Sequence, residues 1–391
     1  MRKIGLYLGV DPSAGGMYQY NMAVLEAVSA LPRDSFEMVA CTTSREWLPH
    51  LSARGLPMVL VRNGWVRRAF WKAWRTLRLP TAPARELSRF GDPLAREFLR
   101  QQCELWIFPS LDRLAFEVPV RSLAAIHDLM HRYETRFPEV SAAGNYRLRE
   151  WVFGNICRWA AGVLVDSEVG KQQVRTCYGL PGERLHVLPY VAPAYISGSS
   201  ASIDVTGKYG LPEKYLFYPA NFWEHKNHQN LIEAVIRLKA ELPDLSLVLA
   251  GSADNGSEAV MQRIEQMGLR KSVFVLGYVP NEEMAELYRR ARALVMPTYF
   301  GPTNIPPLEA FAAGCPVAIS GIYGIPDQVG DAALLFDPAS VEDIAECIKR
   351  LWTDDDLCTT LDSRGRKRAA AWGQQQFNER LKSIIERVLV S

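Results

Sequence analysis

Four places in this chain combine residue types that could do chemistry. The first, residues 295–320, reads as strand, loop, helix, turn and strand. Pro297 and the Gly301-Pro302 pair break an apolar run at 293–296 and leave a loop with backbone N–H groups. Pro306 and Pro307 then open a helix, where proline is tolerated because first-turn N–H groups lack partners. Glu309 becomes a first-turn carboxylate behind the carboxyl end of a strand. Open α/β sheets bind ligands there, and helix amides suit a phosphate. The same letters would serve an ordinary βαβ unit in which Glu309 only complements the helix dipole. The second place is Lys226, between a strand-like run at 215–219 and a helical stretch at 231–242. A lysine there can neutralise a phosphate as a compact point charge, or simply be a surface lysine. The third is His127, which ends the apolar run 123–126, with Asp128 and His131 as neighbours. The fourth is Gly15 and Gly16, between the first strand and its helix, where glycines let backbone approach a ligand or make a tight turn.

The elements that must position these groups alternate. Short apolar runs at 1–10, 36–42, 57–61, 105–108, 161–165 and 184–189 predict further strands of a first domain. Runs at 245–250, 273–276 and 315–319 do so in a second. Helical patterns lie between them. Strand–helix alternation of this kind predicts two Rossmann-like α/β domains, with a cleft between them. We assign 1–195 to the first domain and 206–370 to the second, with a Pro-, Gly- and Ser-bearing linker over 190–205. Residues 371–391 form a closing helix.

Whole-chain quantities agree with this and exclude other classes. A length of 391 residues predicts about two domains, and 48% hydrophobic residues suffice for their cores. A formal charge of +2 gives no argument for wholesale nucleic-acid binding. Seven scattered cysteines without Cys-x-x-Cys spacing read as buried thiols of a reducing compartment, not as a disulfide frame or zinc site. No metal-ligand cluster is visible, and 354–356, three aspartates, read as a solvated helix cap. The N-terminal apolar run is too short and too broken by glycine for a signal peptide, and no run approaches the roughly 18 apolar residues of a membrane span. The expected location is the cytoplasm, at the inner face of the cell membrane if the next feature binds lipid.

That feature is the stretch 62–89. It carries Arg62, Arg67, Arg68, Lys72, Arg75, Arg78, Arg85 and Arg89 against the one acid Glu86, with Trp65, Phe70, Trp71 and Trp74 interleaved. On a helix, Val66, Phe70, Ala73, Trp74 and Leu77 share one face, while Arg67, Arg68, Lys72, Arg75 and Arg78 take the other with Trp71. Basic amphipathic helices with aromatic residues bind anionic membranes. We assign membrane contact to Arg67, Arg68, Phe70, Trp71, Lys72 and Trp74. The other reading is a surface helix whose apolar face packs on the domain and whose arginines are solvated.

The segment Pro-Pro-Leu-Glu-Ala-Phe-Ala-Ala-Gly-Cys-Pro-Val at 306–317 closely resembles the signature of the retaining, family-4 nucleotide-sugar glycosyltransferases of GT-B fold. The resemblance is dense from 215 to 338 and looser before it. It implies two Rossmann-like doubly wound domains facing each other across a cleft, the first for acceptor and the second for donor, with the closing helix returning to the first. It also implies that Glu309 holds the ribose hydroxyls, Lys226 the diphosphate and His127 the transferred sugar, with Gly15 and Gly16 near the donor phosphates. The donor would further meet Asn221, Gly301, Thr303, Asn304, Ile305 and Pro306, and Tyr278 and Val279 would wall the base. Ser167 with Glu168 matches a Ser-Glu pair of the family, and Ser167 is expected mainly to cap a helix. There are two departures. The family carries a second glutamate eight positions before Glu309, where Gly301 stands here, and an arginine near the place of Asn221.

The activity this implies is transfer of a hexose, mannose-, rhamnose- or glucose-like, from a nucleoside diphosphate sugar to a glycan hydroxyl. The acceptor would be a growing surface polysaccharide or lipid-linked glycan, and the configuration would be retained. Neither metal nor cofactor is called for if the charges named suffice. The alternatives are a sugar-nucleotide epimerase or phosphorylase on the same fold and a non-catalytic carbohydrate- or membrane-binding protein.

Overall fold

The computed structural model describes residues 1–11, 15–198 and 203–391. Its strands are the apolar runs of the sequence, because a parallel strand is covered on both faces and must be apolar throughout. Among the described residues, β1 (Arg2–Leu8), β2 (Phe36–Thr42), β3 (Met58–Leu60), β4 (Leu105–Phe108), β5 (Ser122–Ala125), β6 (Gly162–Val165) and β7 (Leu185–Val187) form one parallel sheet in the order 3-2-1-4-5-6-7. A second parallel sheet takes the order 10-9-8-11-12-13 from β8 (Leu216–Pro219), β9 (Leu247–Ala250), β10 (Val273–Val275), β11 (Ala293–Met296), β12 (Val317–Ser320) and β13 (Ala333–Phe336). Both are doubly wound. Strand order reverses between β1 and β4 in the first and between β8 and β11 in the second, and such switch points open crevices at the carboxyl ends of the strands.

Each sheet organises its own unit. The first comprises Met1–Leu129, Arg147–Pro189 and Gln374–Ser391. The closing helix Gln374–Val390 belongs to it, burying Phe377, Leu381, Ile384, Ile385 and Val388. Gln374 Nε2 donates to the Ala23 carbonyl at 2.9 Å, and Arg380 Nε to that of Val187 at 3.1 Å. The second unit comprises Met130–Tyr146 and Tyr190–Gly373.

Two stretches differ from the sequence reading. Residues 130–146, assigned to the first domain, cluster with the second unit, where Phe137 packs on Tyr299 and Phe300 and Tyr323 donates to Glu134 at 2.7 Å. The linker expected at 190–205 is largely packed: Tyr190 and Ile196 are buried, and Ala194–Ser197 is a helical turn. Residues 199–202 of that linker, and 12–14 of the loop before Gly15, lie outside the described residues. All seven cysteines are free thiols. Asp354 caps the Asp355–Ala371 helix and Ser167 caps Glu168–Tyr178, each through its side-chain oxygen.

Candidate functional site

In the first unit the expected residues gather at the carboxyl ends of the strands. Gly15 precedes the Gly16–Ser29 helix at φ 57°, ψ −121°, a backbone conformation glycine adopts without strain, and both glycines are exposed. His127 follows β5, and its Nε2 lies 2.8 Å from the Pro109 carbonyl beyond β4. The Tyr20 ring meets the imidazole edge-on at 4.9 Å. Burial pushes the His127 pKa down, against the opposing pull of Pro109 and Asp128, so the ring is neutral near pH 7. Asp128 pairs with Arg149 at 3.2 Å. His131 lies in the second unit, fully buried beside Tyr146.

In the second unit two loops leave the neighbouring strands β8 and β11 at the switch point, and one carries Lys226 while the other carries residues 301–305. They are tied together. Tyr299 N–H donates to the His225 carbonyl at 2.8 Å, and the Phe300 ring stacks on the His225 imidazole at 3.7 Å. Asn227, at φ 59°, sends its buried Nδ2 to the carbonyls of Pro297 (2.9 Å) and Pro338 (2.7 Å). Asparagine is among the few side chains that tolerate this left-handed backbone. Glu139 Oε1 accepts from His225 N–H at 3.3 Å and lies 3.1 Å from its Nδ1. Burial would raise the Glu139 carboxyl, but these bonds outweigh it and hold it down at about 2.

Lys226 is half-buried on this platform, and its carbonyl accepts from the Tyr218 hydroxyl at 2.9 Å. Asn221, exposed after β8, accepts from Ser252 N–H at 2.9 Å. Gly251, at φ 154°, makes that approach possible, since a Cβ there would lie 2.2 Å from the Ala220 carbonyl oxygen. Glu309 is buried in the first turn of the Pro306–Ala313 helix. The Tyr195 hydroxyl donates to its Oε1 and the Tyr288 hydroxyl to its Oε2, both at 2.7 Å. Burial pushes the Glu309 carboxyl up, and the two tyrosines pull against it.

The sequence reading did not contain Tyr195, Tyr288 or the Glu139–His225 contact. Tyr195 sits 114 residues from Glu309 inside a stretch taken as linker, and no local pattern marks such a partner.

Three expectations need correction. The helix before Glu309 offers fewer amides than expected. Pro306 and Pro307 have none, Leu308 and Glu309 donate to the Ile305 carbonyl, and Asn304 N–H donates to Gln328. Val279 is buried in the core, so of the pair expected to wall a base only Tyr278 stands out in solvent. On the Trp65–Thr76 helix, Arg67 and Trp71 are the buried residues, and Trp74 is half-buried with its Nε1 donating to the Pro80 carbonyl at 2.8 Å. Arg67 turns inward because Asp92 and Glu117 lie there, at 2.7 and 2.5 Å, and buried carboxylates require a cation. Trp71 meets Phe116 edge-on. Arg68, Lys72 and Phe70 remain exposed. Among the described residues no helix is long and apolar enough to cross a membrane.

Comparison with known proteins adds an independent view. Residues 205–368 match the family described as glycosyl transferases group 1. The O-antigen chain mannosyltransferase B of Escherichia coli is 29% identical over 211 residues, covering 53% of this chain and 55% of that protein. A serotype-specific mannosyltransferase WbdA of Escherichia coli is 25% identical over 253 residues, 62% of this chain and 30% of that protein. The chain therefore spans about half or less of the length of these relatives. Among solved structures, sucrose-phosphate synthase of Thermosynechococcus elongatus superposes with a TM-score of 0.76 at 20% identity, covering 100% of each chain. HepE of Anabaena in complex with UDP and glucose gives 0.73 at 16%, covering 99% of this chain and 100% of that one. These likenesses establish a GT-B fold. Over residues 205–368 the chain is similar to the group 1 glycosyl transferases.

Proposed function

We propose that the protein is a retaining glycosyltransferase that moves a hexose from a nucleoside diphosphate sugar to a hydroxyl of a growing surface polysaccharide or lipid-linked glycan. The observation that carries this reading is the placement of Lys226 and Glu309 behind β8 and β11, flanking the switch point of the unit that matches group 1 glycosyl transferases. The similarity to O-antigen and serotype-specific mannosyltransferases favours a mannose-like sugar. HepE and other neighbours of this fold bind UDP or a UDP-sugar, which supports a nucleoside diphosphate as leaving group. An anionic membrane carrying the acceptor is the expected partner surface.

The reaction breaks the anomeric carbon–phosphate oxygen bond and forms one to the acceptor oxygen, so negative charge grows on the diphosphate, which takes up the proton the acceptor hydroxyl gives up. Lys226 meets that charge as a fixed cation. With the helix amides largely engaged, this work falls mainly to Lys226, and no metal is required beside it. Glu309 accepts from the ribose hydroxyls through lone pairs the tyrosines leave open, since each carboxylate oxygen accepts about two bonds. His127 meets the sugar near its reacting carbon; with its Nε2–H on the Pro109 carbonyl, the neutral ring has no second N–H to donate.

Two measurements test this. In thermal denaturation with UDP, GDP, ADP, dTDP or CMP, one diphosphate should raise the melting temperature equally with and without chelator. A donor screen then follows turnover with the nucleotide found. Lys226→Ala should lower kcat by about 10²–10³-fold, as loss of one charge-stabilising donor does elsewhere. Glu309→Ala should raise the donor KM about tenfold or more, because it removes ground-state binding. Full activity in both variants would overturn the reading.

A further inference from the structure

The Trp65–Thr76 helix sits inside out for a helix of a water-soluble surface. Its buried side holds Arg67 and Trp71, while Trp65 is 73% exposed, Val66 61% and, one residue beyond the helix, Leu77 67%. Phe70 joins them on the outer face. The next helix, Thr81–Gly91, repeats the arrangement: Thr81, Ala84, Arg85 and Ser88 face in, and Phe90 is 79% exposed with Leu87 also outward. Arg85 is held inside by the carbonyls of Phe116 (2.7 Å) and Val120 (2.8 Å), as Arg67 is by Asp92 and Glu117. Neither helix can roll its apolar side inward without stranding a guanidinium, or the carboxylates facing it, away from any partner.

We infer that the outer face of these two helices docks on an anionic lipid surface, with Trp65, Val66, Phe70, Leu77 and Phe90 entering the interface. Exposed apolar residues gathered on one helix face, as Val66, Phe70 and Leu77 are, mark an interaction site on a folded protein. The charge around them selects the occupant. Arg62, Arg68, Lys72 and Arg78 are exposed, and the acid Glu86 is taken by Arg89 at 2.8 Å. A second copy of the chain would bring the same cations against these, whereas anionic headgroups meet them with opposite charge and leave the rings at the depth aromatic side chains prefer. The inference names the surface for the membrane contact proposed above. It does not depend on the transfer chemistry.

Vesicle binding with the full chain tests it, using phosphatidylcholine alone and phosphatidylcholine mixed with phosphatidylglycerol. The wild type should bind the mixed vesicles, with a blue shift of tryptophan emission that Trp65→Phe removes. Replacing Trp65, Phe70 and Leu77 together by serine should weaken binding about tenfold or more. Arg68→Glu with Lys72→Glu should weaken it at least about 25-fold, from about fivefold per cation. These side chains are exposed, so the melting temperature should hold, and so should the nucleotide shift of the second unit. That shift separates the two ideas: its loss in the wild type counts against the transferase, not against the docking face. Wild-type levels of binding in the serine variant would overturn the inference, as would no wild-type binding to the mixed vesicles. A dimer dissolved by the serine changes would overturn it too, by assigning the face to a second copy.

Discussion

Glu309 can serve a ribose only as a carboxylate, yet it lies in a setting that favours its protonated form. Tyr195 and Tyr288 counter this by donating to one oxygen each. A hydrogen bond to a charged group is worth about 1.5–3 kcal/mol, or one to two pH units. Tyr195→Phe or Tyr288→Phe should therefore raise the Glu309 pKa further and move the acid limb of donor kcat/KM to higher pH. The loss should fall on donor KM rather than kcat, and should shrink as the assay pH rises. A uniform loss at every pH would mean the tyrosines only fill space. The positions of Glu309 in a first helical turn and of Lys226 in a loop after a strand were legible in the sequence; the roles given to them rest on the resemblance. The tyrosines were not, since they reach Glu309 only through tertiary folding.

At the scale of elements, the Trp65–Thr76 helix shows how an amphipathic pattern misleads. Its two faces were correctly separated on the wheel, but their direction was set by Asp92 and Glu117, 25 and 50 residues beyond Arg67. Arg67→Leu would strand both carboxylates and should cost about 3–5 kcal/mol at neutral pH, read as a lower urea midpoint. Burial already raises the Glu117 carboxyl, with Arg67 and Arg113 opposing. In the variant Glu117 titrates higher still, so its folded form binds a proton more tightly than its unfolded form. Stability should then recover as pH falls through the raised folded value towards the unfolded one. A deficit independent of pH would show that Glu117 was not the stranded charge. Most strands were legible because they are buried apolar runs. β13 was not read, although Ala333–Phe336 is an apolar run like the others; four residues long and with only Phe336 fully covered, it is a short edge strand.

Across the whole molecule, the alternation of strands and helices sufficed for two doubly wound units, but not for how the chain is shared between them. Residues 130–146 pass to the second unit because Phe137 and Glu139 find Tyr299, Phe300 and His225 there, a match invisible to periodicity. The helix Gln374–Val390 returns to the first unit, where Phe377 lies against Tyr20. A chain cut after residue 373 should lose the cooperative melt of the first unit while keeping the nucleotide shift of the second. Loss of both together would show that the second unit needs the helix as well.

That returning helix also sets an order of events during synthesis. The first sheet leaves the ribosome early, yet its last covering element emerges only after every residue of the second unit has been made. Through that interval the groove awaiting Phe377 and Leu381 is open apolar surface, a natural place for a chaperone to hold the nascent chain.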